Sequence, residues 1–303
     1  MPITSFDGIF NKVKQMRGKR LAVAGAEEGE ILQAVAEAHR EGIIEPLLIG
    51  NGERIQELAS QKGLDTSRFE LIEEDNPQHA CLRAVELVRE GRADMLMKGK
   101  VGTSVLLKVV LDKERGLRKG KLLSHVVVME AGAYPKLLII TDGGLNISPD
   151  LETKVELIRN ASLVANRLGI CTPNVALLAA VENPNPDMPE TIDAAILTKM
   201  AQRGQLGDVI ADGPVAFDLA VSSQVAQMKG VESPIAGEAD IFLVPHIATG
   251  NIFVKALIYL GKVDVGGIVV GATAPIVLLS RADTAKIKLN SIALGALICE
   301  EER

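Results

Sequence analysis

An α/β fold with mostly parallel sheets is what this sequence predicts, and three observations carry the prediction. Short apolar runs alternate with longer amphipathic stretches along the chain. The apolar runs are continuous rather than interleaved with polar residues, as strands covered on both faces are. No internal repeat turns the alternation into a solenoid, which leaves strand–helix units stacked into sheets. At 303 residues the chain has the length of about two domains. Its 47% apolar residues are ample for their cores.

Taken in order, strand 21–26 leads to helix 30–41, strand 46–49 to helix 53–61, strand 69–72 to helix 77–89, and strand 95–97 to helix 103–112. Two apolar runs, 126–129 and 137–141, then follow each other with no helical pattern between them. Tyr134-Pro135 separates them; proline holds the residue before it extended, so a domain boundary is expected there. Leu151, Val155, Ile158, Ser162, Ala165 and Leu168 recur at three or four residues and form one buried helical face. Ser148-Pro149 reads as the N-cap with proline at the first helical position, and Gly169 as the stop. Strand 175–181 passes into helix 190–202 through an ordered turn at 182–189 that carries Pro184, Pro186 and Pro189. Strand 209–211 precedes helix 217–228, and strand 241–244 precedes helix 251–260. Strands 267–270 and 276–279 run close together before helix 284–299.

Composition removes several classes of function. With no Trp and only Tyr134 and Tyr259, the cores are aliphatic and base-stacking platforms are not expected. The formal net charge of -6 lacks the positive field that displaces phosphate counterions, so no nucleic-acid partner is expected. Cys81, Cys171 and Cys299 are odd in number and far apart, which suits a reducing compartment rather than a disulfide framework. The opening residues lack a basic stretch followed by an apolar one, and the longest apolar run, 175–181, is far short of the ~20 residues that span a bilayer. The expectation is a cytoplasmic protein with no membrane partner.

The familiar chemical motifs are missing. Gly25-Ala26-Glu27-Glu28-Gly29 has the wrong spacing for G-x-G-x-x-G, and neither a Walker A sequence nor a Gly-x-Ser-x-Gly elbow occurs. His39, His79, His125 and His246 never cluster with cysteines at ligand spacing, so no metal site is expected. What remains is a set of polar clusters at the carboxyl ends of expected strands, the edge where open α/β sheets bind ligands. Ser280-Arg281-Ala282-Asp283-Thr284 opens the last helix, where unpaired N–H groups and a guanidinium fork suit an anion. Asp283 there is either a helix cap or a reacting group. Met97-Lys98-Gly99-Lys100-Val101-Gly102-Thr103 is either an anion cradle or a solvated turn. Asp142-Gly143-Gly144-Leu145-Asn146 follows a third strand, and His246 through Gly250-Asn251 to Lys255 a fourth.

Lys98-Gly99 with Thr103, Thr141-Asp142-Gly143-Gly144-Leu145-Asn146, Ala211-Asp212-Gly213-Pro214 with Asp218, and Ser233-Pro234-Ile235-Ala236-Gly237-Glu238-Ala239-Asp240 stand in a fixed order. Gly250-Asn251 with Lys255 and Ser280-Arg281 complete it. Together, over Lys19 to Leu297, they resemble the phosphate acetyl/butyryltransferase family, and most of all its butyryltransferase branch. The resemblance implies an isocitrate/isopropylmalate dehydrogenase-like fold: two α/β domains with a cleft between them, 1–134 plus 284–303 and 135–283, in a homodimer or higher homo-oligomer. It also implies reversible transfer of a short acyl group, butyryl above all, between CoA and inorganic phosphate. Acyl-CoA and phosphate are then the partners, CoA is a co-substrate, and no cofactor is needed.

The resemblance gives Arg281 to the phosphate and Ser280 to the phosphate or the developing oxyanion. It puts Lys98, Thr103, Asp142, Asn146, Gly250, Asn251 and Lys255 among the substrate-binding residues. In the acetyl branch a carboxylate several residues after the Ser-Arg pair is the proposed base; an ungapped match puts Ile287 there, and Asp283 is the nearest substitute. The alternatives are a phosphate acetyltransferase, or a metal- and NAD-dependent hydroxy-acid dehydrogenase, which would need Asp208, Asp212, Asp218 and Asp240 gathered around an ion.

Overall fold

The computed structural model describes residues 1–120 and 122–299. Its first stretch runs α1 (Phe6–Val13), β1 (Lys19–Ala24), α2 (Gly29–Arg40), β2 (Ile44–Gly50), α3 (Gly52–Gln61), β3 (Glu70–Glu73), α4 (Pro77–Arg89), β4 (Met95–Lys98) and α5 (Thr103–Val110). There follow β5 (Ser124–Glu130), β6 (Leu137–Thr141), α6 (Leu151–Arg167), β7 (Asn174–Leu178), α7 (Pro189–Gln202), β8 (Ile210–Val215), α8 (Phe217–Val221), α9 (Ser223–Lys229), β9 (Ile241–Leu243) and α10 (Ile247–Tyr259). The last elements are β10 (Asp264–Val270), β11 (Ile276–Val277) and α11 (Ala285–Ile298). Among the described residues no helix is long and apolar enough to cross a membrane.

Two compact units divide the chain. An N-terminal unit takes residues 6–123 and the chain from Gly266 onward; a central unit takes 1–5 and 124–265. These breaks lie upstream of the expected 134/135 and 283/284. Segment 131–136 is too short for the crossover of about a dozen residues that parallel strands need. β5 and β6 therefore pair antiparallel as a hairpin, which keeps 124–130 with 137–141. Likewise β10 and β11 pair antiparallel across 271–275, and β11 lies parallel beside β4.

In the N-terminal unit the strand order is β3-β2-β1-β4-β11-β10, parallel from β3 through β11. α11 packs against α1 and α2 and is buried on nearly every side, including Lys288, Asn290 and Ser291. α1 falls outside the sequence expectation: it buries only Phe6, Ile9 and Val13, too few to show a period. In the central unit the order is β5-β6-β9-β7-β8, with β6, β9, β7 and β8 parallel. Asp150 rather than Ser148 caps α6, its carboxylate accepting from the Thr153 N–H at 2.8 Å. The expected helix 217–228 is two helices, because Ser222 is extended and caps α9 by accepting from the Val225 N–H.

The α/β expectation with mostly parallel strands holds, and the antiparallel pairs β5–β6 and β10–β11 make the arrangement mixed. The isocitrate/isopropylmalate dehydrogenase-like architecture is not supported. Two connections too short to cross over account for the antiparallel pairs that the alternation of elements did not foretell.

Candidate active site

Strand pairing gathers three loops at one edge of the N-terminal sheet. β4 lies between β1 and β11, with Lys98 opposite Ala24 and Met97 opposite Val277. The turns at 25–28, 99–102 and 278–284 therefore leave the sheet side by side. At Gly99 a Cβ would lie 1.9 Å from the Gly25 carbonyl oxygen, so only glycine allows the backbone contact. Gly99 and Lys100 N–H groups donate to the Ala24 and Gly25 carbonyls at 2.9 and 2.6 Å.

Lys98 ends β4 with its ammonium buried, donating to the carbonyls of Gly99 at 3.2 Å and Val101 at 3.4 Å. Burial pulls its pKa below the ordinary lysine value; Glu28 pushes it back up, while the positive charges of Arg281 and Lys288 lower it further. Those three side chains thus act on Lys98 electrostatically. Ser280 and Arg281 are exposed, and Arg281 has no ion-pair partner among the described residues. Thr103, also exposed, is the first residue of α5.

Asp283 does not cap α11. Thr284 does, its hydroxyl accepting from the Ile287 N–H at 3.3 Å. Asp283 instead closes the turn below Arg281: its Oδ2 accepts from the Ser280 N–H at 2.8 Å. Lys288, missed in the sequence, is 2% exposed; it donates to the Asp283 carbonyl and lies 3.4 Å from the Glu28 carboxylate. A lysine inside a helical pattern reads as a solvated side chain, so no signal marked it.

In the central unit β6 lies beside β9, with Thr141 opposite Leu243, which brings loop 142–146 next to the start of α10. Asp142 is buried, and four donors converge on its carboxylate. Gly144 and Leu145 N–H groups reach Oδ1 at 2.7 and 2.8 Å. The His125 N–H and the Asn146 side-chain amide reach Oδ2 at 2.9 and 2.7 Å. A Cβ on Gly250 would stand 2.8 Å from the Gly143 Cα, so α10 crosses the loop backbone against backbone. Asn251 is exposed and donates to the Gly143 carbonyl at 3.2 Å; Lys255 is exposed further along α10.

Next to this turn is a cavity of about 320 Å³ lined by Leu178, Phe217, Val244, His246, Thr249 and Phe253, among others. Phe217 and Phe253 meet edge to face at 4.9 Å. The four scattered aspartates are not gathered: Asp218 pairs with Lys229 and Asp240 with Lys136. Among the described residues no group of three or more His, Cys, Asp and Glu side chains is placed to hold a metal ion.

Comparison with known proteins decides the family. Residues 5–81 and 77–296 match the family described as phosphate acetyl/butaryl transferase. The chain belongs to this family. A phosphate butyryltransferase of Clostridium acetobutylicum is 47% identical over 296 residues, covering 98% of both chains. A phosphate acetyltransferase of Thermotoga maritima is 45% identical over 281 residues, covering 93% of this chain and 95% of its own. The crystal structure of a branched-chain phosphotransacylase from Enterococcus faecalis is 34% identical with a TM-score of 0.84, covering 94% of this chain and 100% of that one. Phosphotransacylase structures, rather than an isocitrate dehydrogenase-like template, therefore describe the fold of this phosphate acetyl/butaryl transferase.

Proposed function

We propose that this phosphate acyltransferase carries butyryl in preference to acetyl, reversibly, between CoA and inorganic phosphate. The observation that supports its chemistry best is Arg281: an exposed guanidinium without an ion-pair partner among the described residues, at a strand end that opens into α11. A guanidinium fork matches two phosphate oxygens, and a helix N-terminus adds partial positive charge. In this reading a phosphate oxygen attacks the thioester carbonyl, the carbonyl becomes an oxyanion, and its collapse expels CoA thiolate, which then takes up a proton. Holding both substrates in line supplies much of the acceleration.

Ser280 donates to the phosphate or to the oxyanion, Lys98 adds buried positive charge, and Thr103 adds a hydroxyl. Asp283, already accepting from Ser280, positions that turn. Asp142 holds its own loop, Gly250 gives it room, and Asn146, Asn251 and Lys255 are further substrate-binding residues in this reading. CoA is co-substrate in this reading and no resident cofactor carries a step. We also infer a cytoplasmic location and a homodimer or higher homo-oligomer; the exposed apolar Ile252 and Tyr259 on α10 support the self-association.

Free thiol should appear from butyryl-CoA only when phosphate is present. Arg281→Ala should lower turnover by about 10²-fold or more. Two further methylenes at ~0.8 kcal/mol each should favour butyryl-CoA over acetyl-CoA by about tenfold in kcat/KM. Equal or better kcat/KM with acetyl-CoA would make the chain a phosphate acetyltransferase, as its 45% identical relative is named.

A further inference from the structure

We infer that Lys288 is a positioning residue for phosphate binding, its buried ammonium bracing the turn of Ser280 and Arg281 against Glu28. The inference rests on the reading of Arg281 as the phosphate ligand. Ser280 and Arg281 are themselves exposed, and the one hydrogen bond their side chains make among the described residues, Ser280 Oγ accepting from the Ala282 N–H at 3.4 Å, stays within the turn. It is held from beneath. Lys288 donates to the Asp283 carbonyl and stands 3.4 Å from the Glu28 carboxylate, which belongs to the turn after β1. Asp283 in turn accepts from the Ser280 N–H at 2.8 Å. A second tie lies one residue past the cap, where the Ala285 N–H donates to Glu30 Oε2 at 3.1 Å; Glu30 also pairs with Lys62 at 3.0 Å. Residues 283–285 are thus fastened at two points to the start of α2, and Glu28–Lys288 is the tie whose cation is 2% exposed.

Burying an ammonium one turn into a helix is unfavourable on two counts. Desolvation penalises it, and the positive end of the helix dipole repels it. An apolar residue of the same length would fill the space without either cost, but would leave the turn untied. The gain is a guanidinium held at one place beside Lys98 before the anion arrives, which lowers the ordering cost of binding. That gain applies to phosphate and not to the thioester.

Steady-state kinetics of the full chain, with butyryl-CoA and inorganic phosphate varied separately, test this. Lys288→Met should raise KM for phosphate about tenfold or more and leave KM for butyryl-CoA within about twofold. Glu28→Gln should move KM for phosphate the same way by a smaller factor, and the double variant should be no worse than Lys288→Met, because both act through one contact. Lys288→Arg, which keeps the charge, should return KM for phosphate to within about threefold of wild type. An unchanged KM for phosphate, equal rises in both KM values, or additive effects would overturn the inference. If Lys288→Met does not fold, Glu28→Gln decides alone, and an unchanged KM for phosphate there overturns it. Arg281→Ala separates the two levels. If it too leaves KM for phosphate unchanged, the phosphate reading falls along with the brace; if only Arg281→Ala raises it, the brace alone falls.

Discussion

Asp142→Asn asks whether the buried carboxylate of the 142–146 loop is spent on folding or held for chemistry. The aspartate has two oxygens and four donors, two N–H groups on Oδ1, and one N–H and one side-chain amide on Oδ2. An asparagine keeps one oxygen, enough for the Gly144 and Leu145 N–H groups. Its NH₂ then confronts the His125 N–H and the Asn146 amide, donor against donor. Leaving a buried donor without its acceptor costs about 1–3 kcal/mol, so two give a loss of about 2–6 kcal/mol. Against a total stability of about 5–15 kcal/mol that is a large fraction. Urea unfolding of both proteins, with the slope m compared to confirm that the same surface is exposed, measures it. The reasoning is refuted if Asp142→Asn is as stable as wild type within about 0.5 kcal/mol while turnover falls by about 10²-fold or more, because the carboxylate would then be a reacting group.

Asp94 is raised by burial, but its hydrogen bonds from Arg20 outweigh this and hold its carboxyl below the usual range. Its contribution is therefore present above the unfolded value near 4 and is lost as pH falls through the lower folded value. The stability difference between wild type and Asp94→Asn should shrink as pH falls below about 4, and a difference that stays constant from neutral to acid pH would refute this. Asp283→Asn keeps an oxygen for the Ser280 N–H and should retain turnover within about tenfold; a loss beyond about 10²-fold at unchanged melting temperature would make Asp283 the base.

Most strands were legible because they are continuous apolar runs, though β3 is bounded by Glu70 and Glu73 and β8 carries Asp212-Gly213-Pro214. Their mostly parallel direction was legible too, but the two antiparallel pairs were not, since these depend on connection length, which the alternation of elements does not report; only the closeness of 126–129 to 137–141 hinted at a hairpin. Cap assignments failed at α6, where Ser148 and Asp150 are both short polar residues ahead of one apolar face. The break at Ser222 was hidden because an unbroken helical stretch read through it. In the candidate site, Arg281 and Ser280 stood out by following a strand and preceding a helix. The close packing of Gly250 against Gly143 carried no mark in the sequence, because it depends on two loops that meet only in the fold. Lys288 and Glu28 carried no local mark, because their meaning comes from a contact between residues far apart in the chain.

The two polar loops also differ in how their charge is spent, and this assigns them different tasks. The carboxylate of Asp142 is matched by four donors, so its loop has little field left with which to draw in an anion. In the N-terminal unit Lys98, Arg281 and Lys288 outnumber the carboxylates of Glu28 and Asp283, and two of the three cations are buried. Burial lowers the Lys98 pKa most, Glu28 raises it, and the repulsion of Arg281 and Lys288 lowers it further. A neutral acyl chain cannot relieve that repulsion, whereas a phosphate dianion can, and in low dielectric the relief is larger than it would be in water. In the proposed reading, phosphate recognition therefore belongs to the turn at 280–284 and its buried lysines.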